Sequence, residues 1–146
     1  MEDRFAIFTT LISKINRNIR KLKNIEMTEY NLRSQHVVVL YHLYMYGPLT
    51  SKELVERCEE DKATISRGLK YLEENDFVSC NITDKKRYNT EFFLLEKGKV
   101  VGEVLANKIN TVLDEVDRCI TDEERKDLYI YLNKISDSLE SLTKGE

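Results

Sequence analysis

Near the middle of the chain, one short stretch combines cations, hydroxyl groups and small side chains in a spacing that suits contact with nucleic acid. If this stretch is a helix that turns about 100° per residue, four such side chains share one face. They are Ala63, Thr64, Arg67 and Lys70. Arginine can bond guanine through two N–H groups, and alanine and threonine methyl groups can contact the thymine methyl. Ser66 lies at the flank, where its hydroxyl can reach a base or a phosphate. Taken alone, this face fits an ordinary solvated helix surface equally well.

The opposite side of the same stretch is apolar. Ile65, Leu69 and Leu72 fall within about 60° of one another on a helical projection, which predicts a stripe that packs against a core. Asp61 is a favourable N-cap because its carboxylate can accept the N–H groups that open a helix. We therefore expect a helix from Asp61 to about Asn75, with one docked side and one open side.

Three helices are predicted before this one. A long first helix, followed by a polar break over residues 24–30, is indicated by apolar residues at steps of three and four. These residues are Phe5, Phe8, Ile12, Ile15, Ile19 and Leu22. A second, nearly apolar helix over residues 32–46 should end at Gly47, as a left-handed cap, before Pro48. Thr50 and Glu53 form a capping-box pattern that begins the third helix.

After the fourth helix the periodicity changes. Residues 77–82 and 91–95 can be extended, and the polar, basic segment 83–90 between them predicts a hairpin. Two long helices follow, and Thr121 with Glu124 forms a capping box for the second of them. The predicted order is ααααββαα, a mostly α fold with a small β-hairpin. Two short helices followed by a basic hairpin are typical of a winged helix-turn-helix.

Residues for enzyme or metal chemistry are scarce. Cys58, Cys80 and Cys119 lie far apart without a Cys-x-x-Cys pair, so they predict neither a disulfide framework nor a zinc site. His36 and His42, the two histidines, point about 120° apart on one helix and cannot share a metal. The sequence contains no Gly-rich phosphate loop and no nucleophile elbow. We therefore expect no enzyme activity, no cofactor and no metal, and reduced thiols rather than a redox sensor.

The overall composition predicts a folded cytoplasmic protein. The 146 residues are 41% apolar and 34% charged, as in helix-rich globular domains rather than disordered chains. No apolar run approaches the ~20 residues that span a bilayer. The first residues lack the cationic and apolar regions of a secretory signal. We expect no membrane association.

Charge is unevenly distributed around a net value of -3. Residues 4–25 contain six cations and no anion, and residues 83–90 contain three cations and one anion. Short basic elements in a slightly acidic chain are typical of a protein that touches a polyanion at chosen places.

The segment GPLTSKELVERCEEDKATISRGLKYLEENDFV, residues 47–78, resembles the helix-turn-helix of the multiple-antibiotic-resistance regulator (MarR) family. Its most specific part is DKATISR, which resembles the start of the family's recognition helix. The flanking segments NLRSQHVVVLYHL and TDEERKDLYIYLNKI resemble the second and last helices of the family. The resemblance therefore extends over nearly the whole chain in the expected order.

The resemblance implies that the fourth helix reads the major groove of DNA and that the hairpin, or wing, enters the minor groove. The implied DNA-binding residues are Ser51, Lys52, Lys62, Ala63, Thr64, Ser66, Arg67, Lys70, Lys85, Lys86 and Arg87. Arg67, Thr64 and Ser66 would read bases, whereas Ser51, Lys52 and Lys62 would position the protein on phosphates. Wings of this family typically place an arginine two residues after an aspartate. Lys86 stands at that position here and Arg87 follows it, so the identity of the minor-groove residue stays open.

The resemblance also implies a homodimer, which the apolar stripes at both chain ends favour independently. We predict a helical dimerisation region formed by residues 1–31 and 99–146, and a DNA-binding lobe formed by residues 32–98. The dimer contacts would include Phe5, Phe8, Ile12, Leu128, Leu132, Ile135 and Leu139. A monomer that packs its end helices on its own core is the alternative. A two-fold dimer would face a pseudo-palindrome with half-sites about 10 bp apart.

The sequence thus predicts a homodimeric regulator that binds double-stranded DNA, more often as a repressor than as an activator. The resemblance implies release by a small, commonly aromatic effector. Candidate effector residues are Tyr30, Arg33, His36 and Tyr41, which also suit an ordinary core. The alternatives are a winged-helix protein-interaction module without DNA binding and a redox-sensing regulator.

Overall fold

A computed structural model describes residues 3–58, 60–81 and 89–145, apart from the side chain of Glu26. The helices are α1 (Arg4–Met27), α2 (Ser34–Tyr46), α3 (Ser51–Cys58), α4 (Lys62–Glu74), α5 (Glu96–Asp117) and α6 (Asp122–Lys144). The strands are β1 (Leu49–Thr50), β2 (Val78–Cys80) and β3 (Glu91–Leu94). The chain forms two compact units, Met1–Asn107 and Lys108–Glu146.

The predicted fold class is confirmed, with one strand added to the predicted pair. β3 lies between β1 and β2 and is antiparallel to both. Leu49 pairs with Phe92, and Thr50 pairs with Glu91. The sequence predicted only the two hairpin strands, because a two-residue strand is too short to show an alternating pattern.

The core of the first unit forms where α2, α3, α4 and the sheet pack together. α2 lies at its centre, as its nearly apolar sequence predicts, with Val39 and Leu40 fully buried. Leu54 of α3 and Leu72 of α4 are also fully buried. These contacts fix the two helices of the helix-turn-helix relative to each other.

Two glycines lie on either side of the strands in the sequence, one at the end of α2 and one near the start of α5. α2 ends at Gly47, whose N–H donates to the Leu43 carbonyl at 3.1 Å. Its φ of 79° is positive as predicted, but its ψ of -158° lies outside the left-handed helical region, in a conformation nearly restricted to glycine. Gly98 in α5 packs against Phe77, the residue before β2, and a Cβ there would clash with the Phe77 carbonyl oxygen.

The end of α1 differs from the sequence prediction. The helix continues to Met27 rather than breaking at residue 24, and a 3-10 turn over Thr28–Tyr30 follows. Met27 is fully buried, so it anchors the last turn of α1 in the core of the first unit. Asn31 then adopts the left-handed conformation, with φ 57°.

The second unit contains the end of α5 and all of α6. The predicted capping box of α6 is confirmed: Thr121 Oγ1 accepts the Glu124 N–H at 3.1 Å, and Glu124 Oε2 accepts the Thr121 N–H at 2.8 Å. Arg125 pairs with Asp117 and Asp122 across the turn between the helices. None of the described side chains of α6 is buried.

Candidate nucleic-acid interface

α4 begins with the predicted cap and buries the predicted stripe. The Asp61 carboxylate accepts the Thr64 N–H at 2.7 Å, and this hydrogen bond is the main reason that the pKa of Asp61 is lowered. Ile65, Leu69 and Leu72 are 1%, 4% and 0% exposed. Because their burial fixes the rotation of the helix, the opposite face must point away from the core.

That opposite face carries most of the predicted base-reading residues. Ala63, Ser66, Arg67 and Lys70 are exposed, and Thr64 is half-buried. The Arg67 guanidinium lies 3.4 Å from the Thr64 hydroxyl, a long contact that leaves its N–H groups available to a ligand. An open face with cations, hydroxyls and a small residue can approach base edges.

On a helical projection Tyr71 falls between Arg67 and Thr64, yet its side chain turns back onto the body of the first unit. Its ring stacks on His36 with the centroids 4.1 Å apart. Its hydroxyl donates to the Asn31 carbonyl at 2.6 Å. Tyr71 therefore ties α4 to the start of α2 instead of facing solvent.

α3 presents the predicted phosphate-positioning residues at its first turn. Ser51 is half-buried and Lys52 is exposed, as is Lys62 at the start of α4. The predicted capping box is confirmed, since Thr50 Oγ1 accepts the Glu53 N–H at 3.1 Å. The wing residues Lys85, Lys86 and Arg87 lie outside the described residues.

A cavity of about 610 Å³ lies where α1, α2 and α4 meet. It is lined by Asn24, Thr28, Asn31, Leu32, Arg33, His36 and Tyr71. Two of the four predicted effector residues, Arg33 and His36, therefore line one cavity, whereas Tyr30 and Tyr41 are not among its described lining. The sequence did not indicate that Tyr71 lines this cavity, because Tyr71 lies 40 positions after Asn31 in the chain.

His36 has a defined protonation pattern in this cavity. Its Nδ1 accepts the Arg33 N–H at 3.0 Å, so this nitrogen carries no proton. The side chain is 5% exposed. Burial lowers the pKa of His36, and the positive charge of Arg33 lowers it further. His36 thus serves as a neutral cap for α2 and as the stacking partner of Tyr71.

Comparison with known proteins places this architecture in a family. A sequence model described as the MarR family matches residues 30–86. The transcriptional regulator SarZ of Staphylococcus aureus is 31% identical over 110 residues, which cover 75% of this chain and 72% of SarZ. The chain belongs to the MarR family. An uncharacterised HTH-type transcriptional regulator of Bacillus subtilis, YwaE, is 27% identical over 134 residues, covering 92% of this chain and 78% of YwaE.

Solved structures of MarR family proteins share the fold. A MarR family regulator from Neisseria meningitidis superposes with a TM-score of 0.84 at 20% identity, covering 99% of this chain and all of the other. MepR of S. aureus, in a complex with DNA, has a TM-score of 0.78 at 16% identity over 94% of this chain and 99% of MepR. S. aureus MarR, in complex with salicylate and kanamycin, has a TM-score of 0.78 at 21% identity over 91% of this chain and 89% of that protein. These structures show the winged helix-turn-helix fold, and the relationship to the regulators SarZ and YwaE makes this MarR family chain a transcriptional regulator rather than an enzyme.

The thiols of this MarR family chain occupy different environments. Burial raises the pKa of Cys58 to about 11, and the Glu60 carboxylate adds to this effect. Because thiolates rather than thiols react with oxidants, this environment opposes a redox role for Cys58. Cys80 is half-buried and Cys119 is exposed.

The residues predicted for dimerisation are exposed within the single chain. Phe5, Phe8 and Ile12 of α1 are 77%, 40% and 43% exposed. Leu128, Leu132, Ile135 and Leu139 of α6 are likewise exposed. Large apolar side chains at regular helical spacing remain uncovered on both helices.

Two classes of site are not found in the described residues. No group of three or more His, Cys, Asp or Glu side chains there could hold a metal ion. None of the described helices combines the length and hydropathy needed to cross a membrane.

Proposed function

We propose that this chain acts as a homodimeric repressor that binds a pseudo-palindromic operator and occludes a promoter. The observation that carries the proposal is the division of α4 into a fully docked apolar stripe and an open face. Arg67 and Thr64 on the open face, with Ser66 at its flank, read bases in the major groove. The wing cations Lys85, Lys86 and Arg87 contact the minor groove.

Positioning on the DNA backbone comes from residues at the starts of α3 and α4. Ser51, Lys52 and Lys62 contact phosphates, which fix the orientation of the protein without reading sequence. The N-terminus of α3 contributes N–H groups that favour a negative charge. Ala63 and Lys70 complete the surface that approaches the groove.

A homodimer explains the exposed apolar residues of α1 and α6. Covering such stripes with the same stripes of a second copy is the usual solution in symmetric oligomers. Two copies of α4 would then face two half-sites about 10 bp apart. The exposure of Phe8 and Leu132, each 40%, supports this part of the proposal.

We infer that an effector releases the protein from DNA by binding in the cavity between α1, α2 and α4. A small aromatic acid suits it, because Arg33 offers a positive charge and the His36–Tyr71 stack offers aromatic faces. The binding of salicylate by S. aureus MarR supports this ligand class. An occupant that displaces Tyr71 would shift α4 and weaken its fit in the groove.

The test begins with selection of DNA fragments that the purified protein retains from genomic DNA. The selected site should bind with a steep salt dependence, because a reader with several phosphate contacts loses orders of magnitude in affinity between about 50 and 200 mM salt. If no fragment is retained even at low salt, the chain is a winged-helix protein-interaction module instead.

Arg67→Ala tests the assignment of base reading. We expect a loss of about 1–3 kcal/mol in binding free energy and relaxed discrimination at one base position. The matched control is Arg118→Ala, which removes a cation of the second unit that pairs with Glu115 on the surface. Equal weakening on all DNA sequences would make Arg67 a phosphate contact instead.

A further inference from the structure

A basic face on α1 is not accounted for by the recognition helix or the wing. It consists of Lys14, Arg17, Arg20 and Lys21, all of which are exposed. On a helical projection these four side chains span about 120°, on the side opposite the apolar stripe that contains Phe8 and Ile12. A dimer formed through the apolar stripe would leave this basic face open.

No anion neutralises the basic face within α1. The sequence contains no Asp or Glu between Asp3 and Glu26, so none of the four cations has an acidic residue three or four positions away. Within the described part of the chain, none of the four makes a hydrogen bond or an ion pair. Cations three and four residues apart repel each other and weakly destabilise a helix.

The cations of α6 are arranged differently. Arg125 pairs with Asp122 at 3.0 Å, and Lys144 pairs with Glu140. Lys126 and Lys134 also have acidic residues three or four positions away in the sequence. Each cation of α6 thus has an acidic residue within one helical turn, whereas α1 accumulates one sign over two turns, as expected for a surface that meets a polyanion.

The basic face of α1 is joined at its C-terminal end to α2, the helix that packs against α4. Asn24, on the same side of the helix, accepts the Ser34 N–H of α2 at 2.7 Å. Asn24 also lines one cavity with Tyr71 of α4, so the C-terminal end of the basic face lies close to the helix that the proposed function places in the major groove.

We propose that the basic face of α1 binds the phosphate backbone of duplex DNA outside the half-sites read by α4. This inference rests on the proposed function. From Lys14 to Lys21 the helix rises about 10 Å, a length comparable to three base pairs of duplex at about 3.4 Å each. The contact carries no sequence information, so it lengthens the footprint and raises affinity without changing the preferred site.

The experiment compares two duplexes that carry the selected site, one of about 20 bp and one of about 40 bp. The test variant is K14Q/R17Q/R20Q/K21Q, and the matched control is R118Q/K126Q/K134Q/K144Q, which changes the net charge equally. We expect the wild-type protein and the control to bind the long duplex more tightly than the short one. The test variant should lose at least about tenfold on the long duplex and less than about twofold on the short one, with its salt slope reduced by about 0.9 per lost phosphate contact.

The helix content of the test variant, measured by circular dichroism, shows whether α1 still folds. Equal losses of affinity on the two duplexes would overturn the inference, since the basic face would then act only by long-range electrostatic attraction and not by contact with the flanking DNA. An unchanged salt slope would also overturn it and identify a solvated face. Binding to vesicles containing phosphatidylserine that is lost in the test variant, with long-duplex affinity intact, would assign the basic face to a membrane surface instead. If wild-type protein binds neither duplex, the proposed function itself fails.

Discussion

α4 and α6 carry the same kind of apolar stripe but differ in what covers it. In α4, Ile65, Leu69 and Leu72 are 1%, 4% and 0% exposed, because α2 and α3 cover them. In α6, Leu132 and Ile135 are 40% and 38% exposed. Both helices begin with a side-chain cap and have helical apolar spacing. Periodicity thus shows that a face is apolar, while the covering surface comes from elsewhere in the chain or from another chain.

The largest effect is expected from placing charges on the uncovered stripe. Leu132→Arg with Leu139→Arg should dissociate the proposed dimer, because each arginine would be buried unpaired in the interface. A monomer would bind only one half-site, so its affinity for the selected DNA site should be lower by about 10²–10⁴-fold. Light scattering and gel-shift titration measure the two effects. Ile130→Arg is the control, since this exposed side chain lies on the other side of α6. If the variant with both arginines remains a dimer, the stripe of α6 is not covered by a second copy.

The covered stripe is tested by Leu72→Ala. We expect the free energy of unfolding to fall by about 2–5 kcal/mol, because the substitution leaves a cavity around a fully buried position. Urea denaturation monitored by circular dichroism measures the loss. Leu142→Ala is the control in α6, where the side chain is 73% exposed and truncation should cost less than about 0.5 kcal/mol. Similar losses for the two variants would contradict the contrast between the helices.

The free energy of unfolding should depend on pH through His36, whose ring stacks on Tyr71 of α4. The folded state lowers the pKa of His36, so it binds fewer protons than the unfolded chain. The stability linked to neutral His36 is therefore fully present above the ordinary histidine pKa of about 6.5. It is lost as the pH falls through the lower pKa of the folded state. The folding equilibrium constant should change by at most about tenfold per unit of pKa difference.

Denaturation at pH 7.5 and 5.5 measures this effect. The titratable and charged groups that line the cavity with His36 are Arg33 and Tyr71. His36→Gln should remove part of the pH dependence while keeping a side chain suited to the third helical position of a capping box. His42→Gln is the control, and a pH dependence that only this control removes would refute the assignment.

The smallest effects are expected from the two capping boxes. Thr50→Ala in α3 and Thr121→Ala in α6 should each cost about 1 kcal/mol, because each leaves a helical N–H without its partner. If α6 is buried only between copies, the loss for Thr121→Ala should vary with protein concentration, whereas that for Thr50→Ala should not. Denaturation at two concentrations tests this, and identical behaviour would weaken the contrast between the stripes.

Features that depend on neighbouring residues could be predicted from the sequence. The caps at Asp61, Thr50 and Thr121 form as predicted, because each involves atoms three residues apart. The docked side of α4 follows from the helical period alone. The motif DKATISR led to the family, since its seven residues combine a cap, the first residue of the apolar stripe and most of an open cationic face.

Features that depend on distant residues could not be predicted in this way. Nothing near Tyr71 indicates that its hydroxyl donates to Asn31 or that its ring stacks on His36. β1 exists because Leu49 and Thr50 meet β3 more than forty positions later. The full lining of the cavity has the same origin, since it combines side chains from three helices.

The sequence by itself determined the kind and order of the helices, their caps and the side of each helix that is apolar. Hydrogen bonds between near neighbours and the period of the helix act locally, so they can be read without knowing the fold. Only the tertiary structure decided that the stripe of α4 is covered within the chain and that of α6 is not. Long-range packing makes that choice, because which surfaces meet depends on the path of the whole chain.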